Sequence, residues 1–112
     1  MAVTQHASGT QAATISTEHF LGTDPETTAG AFQFIVDCTN MVRADSLEVR
    51  VYEKPTGSGD TAILVKIWPI NNEQAEPLFV SPALMLLHGW RFSIKQTTGT
   101  GRSFKWSIRK AG

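Results

Sequence analysis

The chain has 112 residues, with ten basic and ten acidic side chains and no net charge, a length that suits one compact domain and is too short for two. The cancelled charge argues against general binding to nucleic acid, where a positive balance supplies the attraction to phosphate. Cys38 is the only cysteine, which excludes an intrachain disulfide and a thiolate metal cluster built from this chain alone.

No run reaches the length needed to cross a bilayer, and Met1-Ala2-Val3-Thr4-Gln5-His6 lacks the basic and apolar blocks of a signal peptide, so synthesis in the cytosol is expected. Residues 1–11 are small and polar with no apolar period. They are expected to form a flexible N-terminal arm, leaving residues 12–112 as the folded domain. Weak strands are expected at residues 12–16 and 18–21. Gly22-Thr23-Asp24-Pro25-Glu26-Thr27-Thr28 then reads as a loop in which Asp24 opens a turn and Pro25 fixes the backbone.

Residues 31–37 form a strand with Phe32, Phe34 and Val36 on one face. Residues 45–52 repeat the alternation, with Leu47, Val49 and Val51 inward and Glu48, Arg50 and Tyr52 outward, and read as its neighbour. Pro55-Thr56-Gly57-Ser58-Gly59-Asp60 is a turn by composition and is expected to be the most mobile internal loop. Residues 61–68 are apolar on both sides, Ile63, Val65 and Ile67 on one and Ala62, Leu64 and Trp68 on the other. That is the pattern of a central or doubly covered strand, interrupted by Lys66. A polar connection over residues 69–77 leads to a short strand over 77–80. In residues 81–89 a helical turn, with Ser81 as cap, Pro82 at the first position and Gly89 at the end, competes with an irregular extended segment.

The clearest pattern comes last. Trp90, Phe92, Ile94 and Gln96 alternate with Arg91, Ser93 and Lys95. After Thr97-Thr98-Gly99-Thr100-Gly101-Arg102-Ser103, Phe104, Trp106 and Ile108 alternate with Lys105, Ser107 and Arg109. The segment reads as a β-hairpin with one apolar and one cationic face. With Phe32 and Phe34 its aromatics are core by default, each contributing about 1.5–3 kcal/mol before entropy is counted. Seven to eight short strands and at most one short helix predict an all-β domain, a β-sandwich or jelly-roll-like barrel.

Charge is laid out unevenly. Glu18, Asp24, Glu26, Asp37, Asp45 and Glu48 meet only Arg43 in the first 48 residues, whereas Arg91, Lys95, Arg102, Lys105, Arg109 and Lys110 have no acidic company after His88. Two accounts stand: the two ends meet within the fold, or the charges complement one another between copies.

Chemistry has few candidates. His6 lies in the expected arm, His19 in a weak strand, His88 in a loop, and Cys38 ends an apolar strand as a small buried residue, so no catalytic residue is assigned. Gly99-Thr100-Gly101-Arg102-Ser103 lacks the glycine spacing, the Lys-Ser/Thr pair and the helix of a phosphate-binding loop. Asp37, Asn40 and Asp45 do not match the spacing of a calcium loop, and no metal or cofactor is expected. Tyr52 and Trp68, if both face outward, offer a stacking platform for a sugar, which makes a carbohydrate-binding module one alternative. Packing against a second sheet or subunit is the simpler role for both.

Three stretches together resemble the small β-rich virion proteins encoded among the structural genes of tailed bacteriophages. They are Val36-Asp37-Cys38-Thr39-Asn40-Met41, residues 45–52, and Lys95-Gln96-Thr97-Thr98-Gly99-Thr100-Gly101-Arg102-Ser103-Phe104-Lys105-Trp106-Ser107-Ile108. In that pattern the loop is usually Gln-Thr-Ala-Gly-Thr and a proline often precedes the tryptophan; here Thr98 and Lys105 stand instead. The resemblance covers roughly residues 12–110 and implies a capsid decoration or cement protein. Such a protein is a non-enzymatic β-sandwich on the outside of the head, often a trimer, with the major capsid protein as partner and neither nucleic acid nor membrane. A minor head-to-tail or tail component on the same fold is the other alternative. For the cement reading, the arm and residues 69–77 are the expected contact segments.

Overall fold

Because alternate side chains of a strand point to opposite faces, each apolar set above must find a second layer to cover it. The computed structural model, which describes residues 2–57 and 59–112 and only the backbone of residues 24 and 25, supplies that layer. It is a β-sandwich with no helix among the described residues and nine strands: β1 Val3–Ala12, β2 Glu18–Glu26, β3 Gly30–Asp37, β4 Ser46–Glu53, β5 Ile63–Asn71, β6 Leu78–Val80, β7 Leu84–Leu86, β8 Trp90–Thr98 and β9 Ser103–Ala111. One antiparallel sheet runs β1-β9-β3-β6, with β7 also beside β3; the other runs β2-β8-β4-β5.

Phe32, Phe34 and Val36 of β3 and Phe104 and Ile108 of β9 face Trp90, Phe92 and Ile94 of β8 and Leu47, Val49 and Val51 of β4, and all eleven are buried. The aromatic contacts run across the layers: Phe34 stacks on Phe92 at 4.5 Å between centroids, and Phe32 lies 4.6 Å from Trp90. Such pairs add about 0.5–1.5 kcal/mol to what area burial gives. The Trp90 indole N–H donates to the Thr28 carbonyl at 2.9 Å, so its one polar atom is satisfied.

Four expectations about neighbours are corrected. Strands β8 and β9 are where the alternation puts them, but they do not pair as a hairpin: β8 lies between β2 and β4, and β9 between β1 and β3. Residues 31–37 and 45–52 likewise belong to opposite sheets. Alternation fixes which side chains face inward, and strands facing each other across a core satisfy it as well as strands lying side by side. Residues 3–12, expected as an arm, form β1, which is hydrogen-bonded along β9 with a bulge between Gln5 and Ala7. Gly9 sits against the Trp106 indole, so closely that a β-carbon there would lie 3.0 Å from the ring. Strand β5 is an edge strand paired only with β4, and Ile63, Leu64 and Val65 are exposed, the first by 59%.

The smaller elements follow from local chemistry. Residues 12–16 are not a strand, apart from Ala12 at the end of β1, and β2 continues to Glu26 through a register irregularity. Asp24 and Pro25, whose side chains were expected to shape a turn there, lie outside the described side chains. Residues 81–89 take the extended alternative: Ser81 is buried and its hydroxyl accepts the Phe34 N–H, while β7 pairs with β3. In the expected turn over residues 55–60, Asp60 accepts the Thr56 N–H at 2.9 Å, and Ser58 lies outside the described residues. The β5 edge carries a register shift opposite Val51 and Tyr52, with Lys66 and Pro69 nearby.

A buried carboxylate closes the end of the sandwich where β8 passes to β9. Asp45, 1% exposed, accepts the Val42 N–H at 2.9 Å, the Arg102 Nε–H at 2.9 Å and the Thr100 N–H at 3.3 Å. Its own carbonyl accepts the Asn72 N–H at 2.7 Å. Beside it the buried Gln96 amide donates to the Thr98 and Thr100 carbonyls and accepts the Arg102 N–H. Gly99, at φ +90°, passes so close that a β-carbon would lie 1.9 Å from Asp45 Oδ1. Gly99→Ala is therefore expected to lower the urea midpoint with an unchanged slope, and Asp45→Ala to destabilise by about 3 kcal/mol, since it strands buried donors and the Arg102 charge.

Candidate interaction surfaces

The outer face of the β2-β8-β4-β5 sheet carries a connected network of charge centred on Arg50 and Glu18. Register sets Glu18 and Glu48 on either side of Lys95, and Arg50 beside Ser93. Glu18 accepts the Tyr52 hydroxyl at 2.6 Å, the Ser93 hydroxyl at 2.5 Å and Arg50 Nη1 at 3.5 Å, and Arg50 also pairs with Glu48. Next to this network the Arg91 guanidinium lies 3.6 Å from the centre of the Phe20 ring. Burial by itself raises the Glu18 carboxyl, but the Ser93 and Tyr52 hydroxyls with Arg50 and Lys95 more than reverse it and hold the group below its ordinary value. A carboxylate kept ionised and filled with donors is built to hold strands in place, not to shuttle a proton.

The other sequence candidates are dispersed. His6 Nε2 meets Glu26 at 3.0 Å, and its ring lies against Phe32. His19 Nε2 accepts the Thr14 N–H at 3.2 Å, while His88 uses its backbone N–H to reach Glu53. Asp37 accepts the Thr39 N–H and hydroxyl, Asn40 donates to the Ser103 carbonyl, and Asp45 is engaged as described, so the three do not converge. Among the described residues no group of three His, Cys, Asp or Glu side chains is placed to hold a metal ion. Cys38 is buried with its thiol pushed up to about 12, first by burial and then by the Asp37 charge.

Tyr52 and Trp68 lie on opposite faces. Trp68 is opposite Val49 on the inner face, at the sandwich edge, with its ring 5.6 Å from Phe79 of the other sheet, whereas Tyr52 joins the Glu18 network outside. The stacking platform is not formed.

Part of the uneven charge layout closes within the fold, because Asp45 meets Arg102 and Glu18 faces Lys95. The β1-β9-β3-β6 sheet differs: its outer face carries Met85, Val3, Leu78 and Val80, the first two 89% and 65% exposed. Exposed apolar groups gathered on one sheet face mark a surface for contact rather than for solvent. No signal in a single strand reveals this face, because each strand contributes only one or two of its residues. Comparison with protein families, with curated proteins and with solved structures finds none that matches the chain.

Two outcomes follow from the titrating groups. At Glu18, Glu26 and Asp45 burial is outweighed by hydrogen bonds, and at Asp37 the Thr39 donors act with little burial, so all four carboxyls are lowered on folding. Their stabilisation is complete above the ordinary carboxylate range and disappears as pH falls through the folded values. Tm should hold between about pH 7 and 5, then decline at lower pH, with a shallower decline in Glu18→Gln. Iodoacetamide at about pH 8 should leave Cys38 unmodified in the native protein and alkylate it in urea, read by intact mass.

Proposed function

We propose that the chain is a non-enzymatic structural protein of a tailed-phage virion that decorates the outside of the capsid and cements neighbouring capsomers. The observation that carries this reading is the division of its surface. On one outer face Glu18, Glu48, Arg50 and Tyr52 are tied together by hydrogen bonds, while the other face presents apolar side chains with few charges. Such a body offers contact area instead of a reaction centre. The resemblance in residues 36–41, 45–52 and 95–108 supplies the partner, the major capsid protein, and the setting, a head assembled in the host cytoplasm.

Cementing is then a matter of mass action. A protein that binds the assembled lattice and not the burst shell stabilises the lattice by about 2.7 kcal/mol per site at a hundredfold excess over Kd. Small contacts become large when a shell repeats them. The carbohydrate-binding alternative loses its motive with Tyr52 and Trp68 on opposite faces. A minor head-to-tail component differs in copy number, about a dozen or fewer per particle against hundreds.

Capsids carrying the protein at full occupancy should release their genome at a higher temperature than capsids stripped of it, followed by dye uptake on heating. Identical release curves remove the cement role, and a copy number near a dozen moves the protein to the connector.

A further inference from the structure

The outer face of the β1-β9-β3-β6 sheet forms rows, because residues paired in antiparallel register stand side by side on one face. Val3, Ala111, Ala31 and Met85 make the first row. Arg109 and Gln33 are paired in the next, and Ser107 and Ile35 in the third. The fourth holds Lys105, paired with Thr10, and Asp37, paired with Leu78. Ile35 is only 6% exposed yet stands outside the main core cluster, so its neighbours on this outer face already shelter it from water.

We infer that this face is a contact between two copies of the chain, packed face to face about a two-fold axis that runs along the strands between β9 and β3. Such an axis preserves rows and exchanges columns, so a residue of β9 meets one of β3 in the second copy, and β1 meets β6 or β7. Lys105 then faces Asp37 of the second copy, and Asp37 faces its Lys105, while Arg109 faces Gln33. No like charges are opposed. Met85, the most exposed large apolar side chain, lies over Val3 of the second copy beside a dimple of about 60 Å³ lined by Val3, Ala31, Ala83 and Ala111. Each copy supplies both the projection and the recess, as an isologous contact requires.

Area sets the strength. Four strands at about 4.8 Å and eight residues at about 3.4 Å give a face of roughly 500 Å², below the roughly 800 Å² that each partner buries in a standard stable complex. The free protein is therefore a weak dimer, populated only at high concentration. This contact goes beyond the decoration reading and does not rest on it.

Sedimentation equilibrium from about 10 μM to 1 mM tests it with the protein alone. The average mass should climb from the 12.2 kDa monomer toward twice that value, and Met85→Asp, at an exposed position, should weaken association about tenfold or more. Lys105→Glu and Asp37→Lys should each be monomeric alone and should associate with each other when mixed, each checked for folding by its thermal melt. A constant monomer mass, a trimer, or a dimer indifferent to Met85→Asp overturns the contact. Since no capsid enters the measurement, a monomer that still binds capsids leaves the decoration reading standing.

Discussion

Asp45 places a negative charge where water does not reach, and two connections of the chain supply the donors that make this tolerable. Val42 belongs to the link from β3 to β4, and Thr100 and Arg102 lie between β8 and β9. An ionised carboxylate without those partners would cost several kcal/mol to bury. The backbone carbonyl of the same residue takes the N–H of Asn72, just past the end of β5, so three crossings meet at one position. Strands of opposite sheets are thereby brought into the register that lets Phe34 lie on Phe92 and Phe32 on Trp90.

The aromatic layer and the closed end divide the labour. Side-chain burial provides the non-directional attraction between sheets, which many registers would satisfy nearly as well. The hydrogen bonds of Asp45 and Gln96 are directional and accept one arrangement. A stiff sandwich with both outer faces set in this way can present different chemistry on each: a saturated charge network on the β2-β8-β4-β5 side and an apolar, sparsely charged surface on the β1-β9-β3-β6 side.

Inside and outside were legible in the residues, and neighbourhood was not. Leu47, Val49 and Val51 are buried and Glu48, Arg50 and Tyr52 face out, as their alternation says. The same alternation in residues 90–108 is silent on whether the two strands pair or face each other, and the short linker suits either. Strand β1 escaped notice because its inner side carries Ala7 and Gly9 rather than large apolar groups; its signal was a glycine matched to Trp106 in a distant strand. Strand β5 looked central because apolar side chains on both sides look the same whether a sheet or a partner covers them. Asp45 gave no local sign, since its donors are as many as 57 residues away.

The kinked register of β5 matters wherever copies of the chain crowd together. A straight, apolar rim would let one molecule add its strand to the next, and a crowded solution would become a nucleus for fibres. A bulge, a lysine and a proline on that rim interrupt the ladder before it can propagate. Neighbours are left to meet through broad surfaces of fixed extent, and open-ended growth by strand addition has no rim to start from.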